Sequence, residues 1–327
     1  MALVLVSGGT VVGLKLLVNR WDATVTRAPL LDPSARASAP DTGGGFVQTS
    51  LTGPLNYLLL GSDARANDPA NGQRSDTIIV VHVPATMDRA YLISIPRDLR
   101  VSIPADPAHN FRGGTQKINA AFNYGGGGIG GFQLLSRTLT RLIGIRFDGA
   151  AIIDFSGFQK VVGIMGGVDM CVDQLTRSVH TRAVYKPGCQ HLAAWQALDY
   201  VRQRETLPNG DYDRQRHQQQ FLKALFTEAL SSGVATNPLK LDEIIRAVGS
   251  SLTVDTNGVP LEQLVFSLRS VLPSTLAGIK LPSYPAMLGG ISYVLPTSGA
   301  TALYHAIATD TVDTWLTSNQ TWVNRLS

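Results

Sequence analysis

Four short apolar runs constrain this chain more than any other feature. They are Asn56 to Gly61 (NYLLLG), Thr77 to Val83 (TIIVVHV), Ala90 to Ile95 (AYLISI) and Ala150 to Phe155 (AAIIDF). Pro84 and Pro96 stop the second and third. Runs this short, β-branched and bounded by Gly or Pro, read as buried strands. Stretches of helical period alternate with them. Gly131 to Ile143 puts Leu134, Leu135, Leu139 and Leu142 on one face. Ser156 to Met165 reads as a helix begun by a Ser cap. Helices are also expected over Leu192–Val201, Gln215–Leu230, Leu241–Val248 and Leu261–Val271, with a long closing helix over Ala300–Leu316. Gly278–Leu281 and Ile291–Leu295 read as short strands. This alternation predicts an α/β sandwich around a mostly buried sheet.

At 327 residues, 44% of them hydrophobic, the chain has ample material for a core, which excludes wholesale disorder. Its two cysteines exclude a disulfide-dense scaffold and a four-cysteine zinc site. A net charge of +4 with no dense basic stripe argues against nucleic acid as a partner.

The first segment, Met1 to Val18, is apolar except for Lys15. Three readings compete: a membrane anchor whose N-terminal part precedes this chain, a cleaved signal peptide, and a buried core element. A span wants about 20 apolar residues. Ser7, Gly8 and Gly9 suit a cleavage site, but no basic region precedes the run. Lys15, Arg20 and Arg27 would by the positive-inside rule hold the body in the cytoplasm, but an incomplete anchor lacks the flank that the rule compares. Arg27 to Pro54 is rich in Pro, Ala, Ser, Thr and Gly and reads as a tether. The expected organisation is an anchor over 1–20, a flexible linker over 21–54 and one domain over 55–327.

Charge gathers where strands end. Gly61-Ser62-Asp63-Ala64-Arg65 follows the first strand, Arg74-Ser75-Asp76 opens the second, and Pro96-Arg97-Asp98 follows the third. Lys117, then Arg202 and Arg204, add cations; if extended, the last two point to one side. Arg214 and Gln218, four apart, share a helix face. Loops at strand ends are where α/β sheets bind ligands. Arginine forks suit phosphate oxygens, and one or two carboxylates together with phosphates hold magnesium. Asp63 and Asp76 could be such a pair. Surface ion pairing is the blander alternative for any one of these segments.

Six segments occur in an order that resembles the LytR-CpsA-Psr family: NYLLLGSDAR, RSDTIIVVHV, ISIPRDLRV, KINAAFNYGG, IIDFSGFQKVVGIMGGVDM and ALDYVRQRETLPNGDYDRQRHQQQFLKA. The resemblance covers about residues 53–230. It implies a three-layer α/β/α sandwich with a central mixed sheet. It also implies a membrane-anchored, extracytoplasmic phosphotransferase that moves a glycopolymer (teichoic acid, capsule or arabinogalactan type) from a polyprenyl-pyrophosphate carrier to a peptidoglycan hydroxyl. A lipid-pyrophosphate pyrophosphatase and a non-enzymatic regulatory protein of the envelope are the alternatives. By the same resemblance Asp63 and Asp76 are expected to bind Mg2+, with Mn2+ as an alternative. Arg74, Arg97, Arg202, Arg204 and Arg214 would clamp the pyrophosphate, with Lys117 and Gln218 as further head-group contacts. Asp98, beside Arg97, is the candidate base or orienting group. His217 stands where many members carry a second Arg, and reads as a milder phosphate contact or a surface residue.

An exported location permits a disulfide between Cys171 and Cys189, the alternative being two buried thiols. Gly126, Gly128 and Gly131 match GxGxxG, with Asp154 downstream, but KINAAFNYG is a poor strand for a dinucleotide fingerprint. A flexible loop at the site mouth is the preferred reading there. No Walker A loop, GxSxG elbow or zinc spacing of the six histidines is present.

Overall fold

A computed structural model describes residues 26–38, 51–62, 75–233, 238–260, 263–264 and 267–326. The strands are β1 (Thr26–Arg27), β2 (Leu55–Ser62), β3 (Ser75–Val83), β4 (Ala90–Ser94), β5 (Arg100–Ile103), β6 (Gly114–Lys117), β7 (Gly149–Asp154), β8 (Val168–Val172), β9 (Thr176–Arg177), β10 (Val184–Tyr185), β11 (Gly188–Leu192), β12 (Leu252–Asp255), β13 (Leu276–Lys280), β14 (Ser283–Leu288), β15 (Ile291–Pro296) and β16 (Val323–Asn324). The helices are α1 (Ala120–Tyr124), α2 (Gly128–Ile143), α3 (Phe155–Ile164), α4 (Ala194–Arg202), α5 (Asp211–Ser231), α6 (Pro238–Val248), α7 (Ser298–Ala308) and α8 (Val312–Ser318).

Eight strands form one sheet in the order β1-β12-β7-β2-β3-β4-β13-β16. It is mixed: β7 runs parallel to β2 and β13 parallel to β4, while β2, β3 and β4 are antiparallel neighbours. Strand side chains alternate between faces, and both faces here are apolar. Leu58, Leu60, Ile78, Val80 and Ile93 pack with Phe132, Leu135 and Leu139 of α2 and Leu303 and Ile307 of α7. Leu59, Ile79 and Leu92 point the other way, toward α3, α4 and α5. The result is a three-layer α/β/α sandwich. Gln219, fully buried on α5, pins that helix to the sheet by donating to the carbonyls of Leu92 (2.8 Å) and Ile279 (3.0 Å).

Several expectations need correction. The linker expected over 21–54 is partly folded: Thr26 and Arg27 pair with β12, and Leu30, Leu31 and Ala35 are buried in the core. Arg36 fastens this segment through Asp255, with Nη1–Oδ1 at 2.9 Å and Nη2–Oδ2 at 2.6 Å. The expected anchor (1–20) and residues 21–25 and 39–50 of the linker lie outside the described residues. Among the described residues no helix is long and apolar enough to cross a membrane. The cap of α3 is Asp154, whose carboxylate accepts from the Gly157 amide at 2.8 Å, and Ser156 lies inside the helix. The closing helix is two helices, broken at Asp310, whose φ of 54° is left-handed. The helix expected over 261–271 falls partly outside the described residues.

The glycine-rich turn joins two helices, α1 and α2, so no strand leads into it and the dinucleotide reading fails. Nor is it an open loop, because a Cβ at Gly131 would collide with the Phe122 carbonyl. Beside the main sheet, β8 and β11 form a ribbon in which Cys171 and Cys189, directly opposite, are joined by a disulfide.

Candidate functional site

A cavity of about 270 Å³ lies between the sheet and helices α3, α4 and α5. Its walls are almost wholly apolar and include Leu59, Ile79, Ile153, Phe158, Phe221 and Leu225. Phe158 and Phe221 stack on one another in its wall, with ring centroids 4.3 Å apart. The sheet face thus supplies one wall and the helices the other, leaving a slot rather than a closed core.

At the end of β2 the slot opens into a second cavity of about 190 Å³, with Gly61, Thr77, Phe155, Arg202 and Gln218 lining both. Here the lining changes character. Asp76, Arg97, Arg202, Arg204 and Arg214 face this space, with His180 and Glu205. The fold explains the convergence. Asp76 begins β3, and Arg97 follows β4 after Pro96. Arg214 and Gln218 lie one turn apart on α5. Arg202 is the last residue of α4 and so is not in extended chain, although Gln203 after it is. Arg202 and Arg204 nevertheless line the same cavity.

Arg97 is the hub. Its Nη1 donates to Asp76 Oδ1 at 2.5 Å, and its Nε lies 3.7 Å from Asp98 and 3.9 Å from Asp211. Burial opposes its charge, but the carboxylates of Asp76, Asp211 and Asp98 outweigh this and hold the guanidinium more firmly protonated than usual. Arg214, nearly buried, donates from Nη2 to the Asp76 carbonyl at 2.9 Å and meets Asp211 at 2.6 Å. The Arg202 guanidinium stacks 4.3 Å from the Phe155 ring centroid, at the junction of slot and cavity.

The remaining candidates fall elsewhere. Lys117 meets Asp98 at 2.9 Å and stands 6.0 Å from the Tyr293 ring; neither Lys117 nor Asp98 lines the charged cavity. Asp63 and Arg74 lie outside the described residues. Asp211 was not anticipated, though it gathers Arg97 and Arg214. Its place in the first turn of α5 disguises it as an ordinary partner of the helix dipole. His217 is fully buried, stacked on Tyr200 at 4.3 Å and 3.5 Å from Asp173, away from the cavity, so neither reading of it holds. Burial pushes the Asp173 carboxyl up, but His217 and Arg216 outweigh it and bring its pKa down to about 2. Among the described residues no group of three or more His, Cys, Asp or Glu is placed to hold a metal ion.

Fold and site together define a class: an α/β/α sandwich whose sheet and helices enclose an apolar slot ending in an arginine-lined anion cavity. The LytR_cpsA_psr family profile matches residues 32–306, and the chain belongs to that family. It is 32% identical over 277 residues to LcpB of Corynebacterium glutamicum, named as a probable cell wall biosynthesis protein, covering 80% of this chain and 63% of that one. It is 31% identical over 232 residues to TagV of Bacillus subtilis, named as a polyisoprenyl-teichoic acid–peptidoglycan teichoic acid transferase, covering 68% of this chain and 56% of that one. The crystal structure of B. subtilis TagV superposes with a TM-score of 0.63 at 27% identity, covering 80% of this chain and 98% of that chain. The chain thus spans between half and two thirds of the full length of these curated relatives.

Proposed function

We propose that this chain is a phosphotransferase that moves a cell-wall glycopolymer from a polyprenyl-pyrophosphate carrier to a hydroxyl of peptidoglycan. The observation that carries this reading is the direct opening of an apolar slot into a cavity lined by four arginines. One ligand matches both halves: an apolar chain ending in a diphosphate. Family membership and the printed name of TagV support the same substrate class.

In this reading the polyprenyl chain lies between Leu59 and Phe221, and the diphosphate meets Arg97, Arg202, Arg204 and Arg214. The acceptor oxygen attacks the phosphorus that bears the glycan. The P–O bond to the lipid phosphate breaks, polyprenyl phosphate leaves, and the hydroxyl proton is lost. Such a transfer needs positioning and charge neutralisation more than covalent participation by the protein. The guanidinium forks supply both. Asp98, the expected base or orienting group, lies outside the cavity lining, and its contacts with Lys117 and Arg97 suit the orienting role.

Among the described residues Asp76 offers one carboxylate to a magnesium ion. Asp76 lines the cavity; its Oδ1 takes the Arg97 bond, while Oδ2 stands 3.9 Å from Arg214 Nη1, beyond hydrogen-bond reach. Asp76, with Asp63 by the family resemblance, would hold Mg2+ or Mn2+, which would neutralise phosphate oxygens as charge shifts to the leaving group. Arg74 completes the clamp by the same resemblance.

The reading places the domain outside the cytoplasm, tethered to the membrane through its N-terminal segment. The Cys171–Cys189 disulfide supports an oxidising compartment. The test is turnover of a polyprenyl-pyrophosphate glycan with and without magnesium. Turnover that depends on the metal and is lost in Arg97→Ala and Asp76→Ala is expected. Unchanged turnover in both variants contradicts the site.

A further inference from the structure

The β14–β15 hairpin ends in a two-residue turn, Gly289–Gly290, with both residues at positive φ (57° and 79°). This geometry permits a tight hairpin whose tip projects from the body. The tip is apolar. Met287 is 66% exposed, Ile291 49%, Tyr284 49% and Leu288 40%. The pairing puts Leu288 and Ile291, Ala286 and Tyr293, and Tyr284 and Leu295 opposite one another, so one ribbon face carries no polar side chain except two phenols. Met287 lies on the other face, so the tip offers apolar groups in both directions. Such a cluster on a protruding turn calls for a cover.

The sheet register shows where the hairpin is rooted. Leu60 pairs with Ile152 and Ile78, and Ile152 with Thr253, which pairs with Thr26. Because β1 runs opposite to β2, the described chain begins at the end of the sheet where β2 delivers Gly61 and Ser62 to the site. Lys280 pairs with Ser94, so β13 also ends there and leads straight into the hairpin. Three features therefore share one end of the sheet: the charged cavity, the first described residue, Thr26, and the root of the apolar hairpin. The hairpin is fixed beside the site. The Val294 amide donates to the Asp98 carbonyl at 2.9 Å, one residue from Arg97, and Ser283 Oγ meets Tyr212 Oη at 2.9 Å. Cations lie beside it, the Arg100 guanidinium 5.9 Å and the Lys117 ammonium 6.0 Å from the ring of Tyr293, two residues behind Ile291. Exposed aliphatics at the tip with cations two residues behind them match a bilayer surface, acyl chain beneath anionic headgroup.

We propose that the β14–β15 hairpin is a membrane wedge: its tip inserts into the lipid surface at the site end of the sheet and holds the cavity mouth against the bilayer. This adds to the transferase reading the surface through which the site meets lipid. A narrow convex tip suits a deformable medium better than a flat protein partner.

The test uses the full chain carrying Met287→Cys or Ile291→Cys. The native cysteines are joined in a disulfide, so an environment-sensitive fluorophore reports only the new position. Vesicles of phosphatidylglycerol and phosphatidylcholine are offered, with and without brominated acyl chains. A blue shift on vesicle addition and loss of emission in brominated lipid are expected at both positions. Neither is expected at Thr86→Cys, in the β3–β4 turn at the opposite end of the sheet. Labels at 287 and 291 that behave like the label at 86 overturn the proposal. A blue shift without bromine quenching also overturns it, since the cover is then protein, either a second copy or the chain's own N-terminal segment. The readout involves no turnover, so the wedge and the transferase reading can each fail alone.

Discussion

Arg97 stands where three carboxylates meet, those of Asp76, Asp98 and Asp211, and it stays charged despite burial because of them. Arg97→Ala is expected to lower turnover by roughly 10²–10³-fold, the usual cost of one charge-stabilising donor. Arg97→Lys should restore only part of this, since a point charge cannot make the paired bonds of a fork; steady-state kinetics of the two variants checks both statements. Asp211→Ala should release Arg97 and Arg214 from their shared partner and cost up to about 10²-fold in turnover through misplacement. Arg97 and Arg214 were legible in the sequence because one follows a strand end and the other shares a helix face with Gln218; Arg202 and Arg204 stood out as a closely spaced pair, although Arg202 ends a helix rather than lying in extended chain. Asp211 was not, because a carboxylate in a helix's first turn has an ordinary explanation. Asp173 gives a pH prediction. Its pKa is lowered to about 2, below the ordinary carboxyl near 3.9, so its stabilising effect is complete above about pH 4 and fades as pH falls through 2. The melting temperature of Asp173→Asn should therefore lie below that of the parent chain at pH 5 and converge with it as pH approaches 2.

Strands were easier to foresee than the ribbons around them. β2, β3, β4 and β7 are continuous apolar runs because both of their faces are covered, and such runs announce themselves. Of the hairpins β5–β6 and β14–β15 only the strand at Ile291–Leu295 was legible; the others mix polar and apolar residues, and β14 contains Pro285, which is unfavourable in a strand interior. The closing helix was read as one because its apolar period continues through Asp310. The break depends on tertiary contacts that period cannot show: the Asp310 carboxylate accepts from the Ala85 amide at 3.0 Å and meets His82 at 3.0 Å. The β8–β11 ribbon is held by its disulfide. Replacing both Cys171 and Cys189 with Ser should destabilise the protein by about 3 kcal/mol, the loop-closure value for a separation of 18 residues. Denaturant melts of parent and variant measure this directly.

The molecule as a whole joins two environments that one ligand would bridge. The sandwich was legible from the alternation of strands and helices, but the slot was not, because slot-lining and core side chains are the same residue types. Leu58 and Leu59 are adjacent in β2, yet Leu58 fills the core and Leu59 faces the slot. The start of the domain was also hidden, since three buried side chains, Leu30, Leu31 and Ala35, sit in a segment composed like a tether. Ala151→Trp, on the slot wall, should abolish use of long polyprenyl donors while leaving binding of inorganic pyrophosphate intact, as titration calorimetry would show. The most direct test of the central claim follows the product. A polyprenyl-pyrophosphate donor with a labelled glycan is incubated with the chain, magnesium and peptidoglycan, and the label is then traced. The account predicts label covalently joined to peptidoglycan through a phosphodiester and lost in Arg97→Ala. Free phosphorylated glycan as the product with acceptor present, or no consumption of the donor, would contradict it.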